Sequence, residues 1–327
     1  MCETPQLSPI DTLKQFGNFS LAYTSLQASM QQFKTDIGII GYQTYTGING
    51  HTVTAVLADP LCKPKDKQRL LQHFLSKHDN CIVVQCSEDT ARTLGHLGLH
   101  IMPFGHEHHI DLNSFRLNWR DHKAIKRSVN YYQSRAQFSE KSFAELDMKQ
   151  LQAMIQTWRQ SRTSQSATQG FLVRPFDYQY EVDCRYFLLE QNGNYIAFVV
   201  CDPLYVNQRI HGYYVSHSFF DPNLKHSAMK ALLVALAQQL RTEGLQTLSL
   251  GVSPFVNTDD FPFLKRWHRA FHFLARQSSD YIYNFKGLSQ LKSSFKAGLQ
   301  QSFIASHKRF PVIECIGVAK LVLNYQA

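Results

Sequence analysis

Four short stretches of this chain carry residue types capable of chemistry. The first, Gly105-His106-Glu107-His108-His109, gathers three histidines and a carboxylate. On a strand, alternation puts His106 and His108 on one face and Glu107 and His109 on the other. The zinc motif HExxH needs two histidines four apart on a helix, which this run lacks, so the default reading is a strand at a core edge and no metal is expected. The second stretch, Gly251-Val252-Ser253-Pro254, follows a predicted strand and sets Ser253 at a sheet end; a strand-terminating turn is the plain alternative. No GxSxG is present, and Cys201-Asp202 is not tied by any sequence signal to a particular histidine. The phosphate-cradling GxxxxGK[ST] is absent too, which argues against ATP chemistry.

The other two stretches are basic. Between Arg116 and Arg135, the residues Arg116, Arg120, Lys123, Lys126, Arg127 and Arg135 face Asp121 alone, a local balance of +5. Trp119, Ile125, Val129 and Tyr132 are spaced for the buried side of a helix, and the cations for an exposed stripe suited to phosphates. An ordinary solvated helix is the alternative. From Tyr281 to Arg309 there is no Asp or Glu, while Lys286, Lys292, Lys296, Lys308 and Arg309 occur among aromatics. Such a face suits an RNA backbone or lipid phosphates, although most of the rings belong in a core.

The elements that must position these residues alternate between strand and helix. Strands are predicted at Ile37–Tyr45, His51–Ala58, Cys81–Gln85 and His100–Leu112, with helices at Lys63–Lys77 and Thr90–Leu97. A strand at Ala136–Phe138 and a helix at Met148–Gln160 follow, then the polar segment Ser161–Gly170, a linker or a loop over a cleft. Strands at Arg185–Glu190, Tyr195–Cys201 and Ile210–Phe219 precede a long amphipathic helix, Lys225–Glu243, ended by Gly244. A strand at Thr247–Gly251 and a helix at Leu264–Ala275 come last. Asn49-Gly50 and Asn192-Gly193 both mark tight hairpins, each followed by Asp-Pro-Leu, with the same 143-residue offset. That echo predicts a duplicated mixed α/β unit. The glycine fingerprint of a dinucleotide-binding fold is missing from both halves.

Composition bounds the rest. The 327 residues carry a net charge of +9 and 44% hydrophobic side chains, enough for a sizeable core and not the profile of a disordered chain. The seven scattered cysteines include no CxxC pair and read as reduced thiols. No apolar run approaches the roughly 18 residues of a membrane span, and the N-terminus lacks a signal-peptide pattern. A cytoplasmic protein is expected.

Four segments resemble the soluble C-terminal catalytic domain of the phosphatidylglycerol lysyltransferase family: HKAIKRSVNYYQSR at 122–135, GYYVS at 212–216, LSLGVSPF at 248–255 and YNFKGLSQLKSSF at 283–295. The resemblance runs from about Phe16 to His307. It implies tandem Gcn5-related N-acetyltransferase-like domains, placed at 1–135 (with the basic connecting helix) and 136–327, with mixed sheets flanked by helices. It also implies an aminoacyl-tRNA donor, an acceptor hydroxyl on a lipid such as phosphatidylglycerol or on a small molecule, and no cofactor. The absence of closely spaced glycines before the long helix fits a donor other than coenzyme A. The resemblance makes Asp202 the candidate for holding the donor α-ammonium or assisting proton transfer, Tyr213 for positioning the acceptor, Ser253 for orienting the carbonyl and Lys286 for the acceptor phosphate. Arg116, Arg120, Lys123, Lys126, Arg127, Lys292 and Lys296 are the candidate phosphate contacts of tRNA or lipid. Enzymes of this family carry a multi-helix membrane region ahead of this domain, and peripheral association with the inner membrane face is the corresponding expectation here. A coenzyme A or other small-donor acyltransferase, and a non-catalytic RNA- or membrane-surface-binding protein, are the competing classes.

Overall fold

The computed structural model describes residues 8–47, 50–118, 120, 122–161, 170–255 and 285–323. The helices are α1 (Pro9–Phe16), α2 (Lys67–Leu75), α3 (Glu88–His96), α4 (Lys123–Tyr132), α5 (Met148–Gln160), α6 (Ala228–Thr242), α7 (Phe285–Ser293) and α8 (Val312–Leu323). The strands are β1 (Gln31–Lys34), β2 (Gly38–Thr46), β3 (Thr52–Leu57), β4 (Leu61–Cys62), β5 (Cys81–Cys86) and β6 (His100–Asp111), followed by β7 (Gln137–Lys141), β8 (Arg185–Gln191), β9 (Asn194–Val206), β10 (Arg209–Phe220), β11 (Thr247–Pro254) and β12 (Gly298–Ser306).

Local chemistry accounts for the boundaries. The Asp147 side chain accepts from the Lys149 and Gln150 amides to start α5, and Ser87 and Ser227 cap α3 and α6 in the same way. α6 is rich in Ala and Leu, the strongest helix formers, and stops before Gly244, whose φ of +81° suits a residue without Cβ. Asn192 and Gly193 both have positive φ, the requirement of the tight turn joining β8 to β9. In the first half, Gly50 has positive φ as well, but residues 48–49 of that turn lie outside the described residues.

All twelve strands join one mixed sheet, in the order β1-β2-β3-β5-β12-β6-β11-β10-β9-β8-β7, with β4 paired to β2 off this path. Among the described residues two pairs are parallel, β3 with β5 and β10 with β11, and each is bridged in sequence by a helix, α2 and α6 respectively. β12 enters between β5 and β6, two strands that are neighbours in sequence. No strand is predicted there from sequence, because Gly298, Leu299 and Gln300 open it as exposed residues and only Phe303, Ile304 and Ala305 are apolar and buried.

Helices cover both faces of the sheet. Along β9, Ala197, Val199 and Cys201 pack with α4 and α6, while Phe198 and Val200 pack with α5. Along β5, Cys81 and Val83 pack with α2 and α3, and Ile82 and Val84 face α8. This period-two division is what buries the runs read as strands.

Two expectations change, and one lies outside the described residues. The helix expected over Arg116–Arg135 is α4, starting only at Lys123: the His122 amide and ring both bond the Asn118 carbonyl, a turn that delays entry. Arg116 and Arg120 therefore precede the helix. Asp59-Pro-Leu follows β3 in a bend where Asp59 accepts from the Ser87 amide, whereas Asp202-Pro-Leu lies within β9, so the two copies do different work. The helix expected at Leu264–Ala275, and Trp119, lie outside the described residues.

Candidate functional site

β10 and β11 pair over only three positions, Gly212 to Tyr214 against Thr247 to Ser249. Beyond these, β10 continues along β9 and β11 along β6, so the two parallel strands part. At the same point β11 carries an extra residue, Leu250, between Ser249 (opposite His109) and Gly251 (opposite His108). Such a bulge reverses the facing of every later residue. Ser249 consequently shares a face with Glu107 and His109, and Ser253 faces the same way as His106 and His108.

Gly251 makes the turn possible. Its φ is +78°, and a Cβ there would lie 2.8 Å from Cε2 of Tyr214 and 3.4 Å from Nζ of Lys292. Lys292 comes from α7, beside the partly buried Leu291 and the buried Phe295. It is 6% exposed, and its ammonium donates to the Val252 carbonyl at 2.8 Å. Burial pulls its pKa down from 10.5 to about 7, against a smaller opposing pull from Glu107. One residue along β11, Ser253 Oγ lies 3.0 Å from His108 Nε2, and both residues are buried. Burial, and then the charge of Lys292, lower His108 to about 4, keeping the ring neutral, and its buried Nδ1 has no hydrogen-bond partner among the described residues.

On the opposite face, Glu107 accepts from Ser20 and, at 2.7 Å, from Ser249, and pairs with His109 at 3.3 Å. Burial opposes ionisation of Glu107, but His109 and the two hydroxyls prevail and lower its pKa; the same pairing raises His109. Ser249 Oγ in turn accepts from the Gly251 amide at 3.0 Å. A partly buried carboxylate thus braces the bulge through one hydroxyl.

Asp202 lies two strands away, opposite Tyr214 on β9, with no exposed surface. Its carboxylate takes the Arg174 guanidinium at both oxygens, at 2.7 and 3.2 Å, and Ser216 Oγ at 2.6 Å. Arg174 also meets Glu181 and lies 5.2 Å over the Tyr23 ring. Asp202 and Glu181 raise the Arg174 pKa despite its burial. His217 completes the cluster, held by the Arg174 carbonyl at 2.8 Å and lowered to about 4 by burial. A cavity of about 330 Å³ opens beside Arg174, lined among others by Leu13, Tyr23, Gln27, Asp177 and Glu181.

The structure brings together only part of the set chosen from sequence. Ser253 sits at the parting of the strands. Asp202 is a fully buried ion pair, engaged by Arg174 at both oxygens and by Ser216 at one. Tyr213 packs into the α4–α6 core with the Arg185 guanidinium 5.4 Å over its ring, and burial raises its pKa to about 12; the neighbour one residue on, Tyr214, is the one beside Gly251. Lys286 falls in the first turn of α7, and its side chain lies outside what is described. Arg116, Arg120, Lys123, Lys126, Arg127 and Lys296 are exposed, but Lys292 is not on that surface. Sequence reading passed over His108, Glu107 and Arg174 as candidates. For Lys292 a signal was available: it stands three residues before Phe295, a spacing that puts both on one side of a helical turn.

A model of the family described as phosphatidylglycerol lysyltransferase, C-terminal, matches residues 10–306. The C-terminal domain of a protein assigned as a lysylphosphatidylglycerol synthetase from Agrobacterium fabrum aligns over 97% of this chain and 98% of its own, at 16% identity and TM-score 0.78. L-PGS from Bacillus licheniformis aligns over 96% and 95%, at 17% identity and TM-score 0.78. FemX aligns over 95% and 98%, at 9% identity and TM-score 0.59. At these identities the likeness is one of fold. A comparison with curated proteins finds no match.

Proposed function

This chain belongs to the phosphatidylglycerol lysyltransferase C-terminal family, an aminoacyl-tRNA-dependent lipid-modifying transferase family, and from that premise we propose that acyl transfer takes place where β10 and β11 part. The observation that carries this reading is the buried Lys292, held on the Val252 carbonyl beside the Ser253–His108 pair. An amine with a pKa near 7 is matched to taking and returning a proton at neutral pH. In the proposed step the acceptor hydroxyl oxygen attacks the ester carbonyl of the aminoacyl-tRNA while its proton passes to Lys292 Nζ. With His108 Nε2–H donating to Ser253 Oγ, the serine hydroxyl is left to donate to the developing oxyanion. Collapse breaks the ester bond, and the departing ribose oxygen takes the proton back from Lys292. Aminoacyl-lipid and free tRNA leave, with no covalent enzyme intermediate. Asp202 acts here as a positioning residue, through Arg174. The exposed cations Arg116, Arg120, Lys123, Lys126, Arg127 and Lys296 form the tRNA phosphate surface.

The same reading extends to two related units at 1–135 and 136–327. A three-strand meander, a helix and a parallel strand occur twice: β1-β2-β3, α2, β5, and β8-β9-β10, α6, β11. Each is followed by a helix and a strand that crosses over, β6 to lie beside β11 and β12 to lie beside β5. Such an exchange makes one sheet from two units. It matches β3 with β10, so the hairpin at Asn49-Gly50 corresponds to the turn at Asn207-Gln208, a different pairing from the 143-residue echo.

The test is to incubate the protein with a pool of labelled aminoacyl-tRNAs and phosphatidylglycerol vesicles. Label entering the lipid phase, lost in Lys292→Met and reduced about 100-fold in Ser253→Ala, is the expected result. No transfer from any donor, together with tight coenzyme A binding, would overturn it.

A further inference from the structure

We propose that α8 and the turn before it form a docking surface for an anionic bilayer; the choice of a membrane rests on the lipid-acceptor reading above. α8 packs over β2 and β3, close enough that a Cβ on Gly317 would meet Val53 at 3.2 Å, with Cys315, Val318, Leu321 and Val322 turned into the core. On its outer side Val312, Ile313 and Ile316, with Phe310 just before them, are 53–58% exposed. A water-facing helix ordinarily shows charged residues there. Single exposed apolar residues are ordinary, but four within seven residues on one element make a patch.

The charge around the patch selects the occupant. Lys308 and Arg309 stand at one end and Lys320 at the other, all exposed, and the Arg309 guanidinium lies 5.6 Å over the Phe310 ring. The one carboxylate of residues 307–323, Glu314, is buried. Apolar side chains rimmed by cations, with no exposed anion on this segment, match a leaflet of acidic headgroups over acyl chains. They mismatch a second copy of the same face, which would bring like charges together. At about 1.5 Å per residue the twelve residues of α8 span about 18 Å, too short to cross a bilayer, so the helix lies in the interface.

Vesicle flotation of the full chain tests this without any donor present. Vesicles containing one part in about three of phosphatidylglycerol should carry the protein, and phosphatidylcholine alone should carry far less. Ile313→Asp with Ile316→Asp should lower partitioning at least about tenfold, and Lys308→Gln or Arg309→Gln about fivefold each, with urea midpoints unchanged because all four side chains are exposed. Undiminished flotation of the double aspartate variant would overturn the proposal. So would a lipid-free dimer, seen by sedimentation equilibrium and abolished by that variant, which would give the face to a second copy. Flotation without transfer activity would count against the acceptor reading and leave the surface standing.

Discussion

Replacing Lys292 by Met separates stability from activity in opposite directions. The unfolded chain holds the lysine proton up to about pH 10.5, whereas the native state releases it near pH 7. Between these values the unfolded state binds more protons, so stability rises with pH across the window. The ionisation of Lys292 therefore costs the wild type about 4 kcal/mol at pH 7 and about 2 kcal/mol at pH 9, reaching a plateau near 5 kcal/mol below pH 6. Met fills nearly the same volume without a charge to desolvate, but it loses the 2.8 Å hydrogen bond to the Val252 carbonyl, worth about 1 kcal/mol. The variant should be more stable by about 3 kcal/mol at pH 7 and by about 1 kcal/mol at pH 9, by urea unfolding with an unchanged m-value. Its single-turnover transfer should be abolished, while wild-type transfer rises with pH through about 7. A variant less stable than wild type at pH 7 would refute the burial argument, and one that retains transfer would refute the proton-acceptor role.

Asp202→Asn should destabilise the protein by about 3–5 kcal/mol in urea, because it leaves the buried Arg174 guanidinium short of its bidentate carboxylate. Gly251→Ala should cost about 1–3 kcal/mol and slow transfer, since the new Cβ needs positive φ and meets Tyr214 at 2.8 Å; an unchanged urea midpoint would show the bulge to be relaxed. Neutralising Lys123, Lys126 and Arg127 together should weaken tRNA binding equally for all sequences and flatten its log-salt slope by about 2–3, measured by filter binding across a salt series. Residues 1–135 alone should remain unfolded by circular dichroism, because β5 and β6 then lack β12 between them.

Much of the fold was legible because apolar periodicity reports burial directly. α5 matches its predicted span to the residue, and β2, β3, β5, β6, β8 and β10 fall within about two residues of theirs, since each has the alternation or continuous apolar run of a covered strand. β12 was illegible for the converse reason: its first half is polar, and it is a strand only because β5 and β6 leave a slot for it. Tyr213 and Tyr214 show the limit for the site. Adjacent residues of one type occupy opposite faces of a strand, and sequence alone does not say which face meets the chemistry.

By itself, the sequence determined the alternating α/β grammar, the helices that became α2 and α6, the exposed basic side of α4 and the family. These depend on contacts between near neighbours or on summed patterns along the chain. Only the tertiary structure decided that Leu250 is a bulge, that Ser253 meets His108 from 145 residues away, that Arg174 closes on Asp202, and that Lys292 is buried rather than bathed in water. The chemistry of a lysine is set by its solvent, and its solvent is set by what the rest of the chain packs around it.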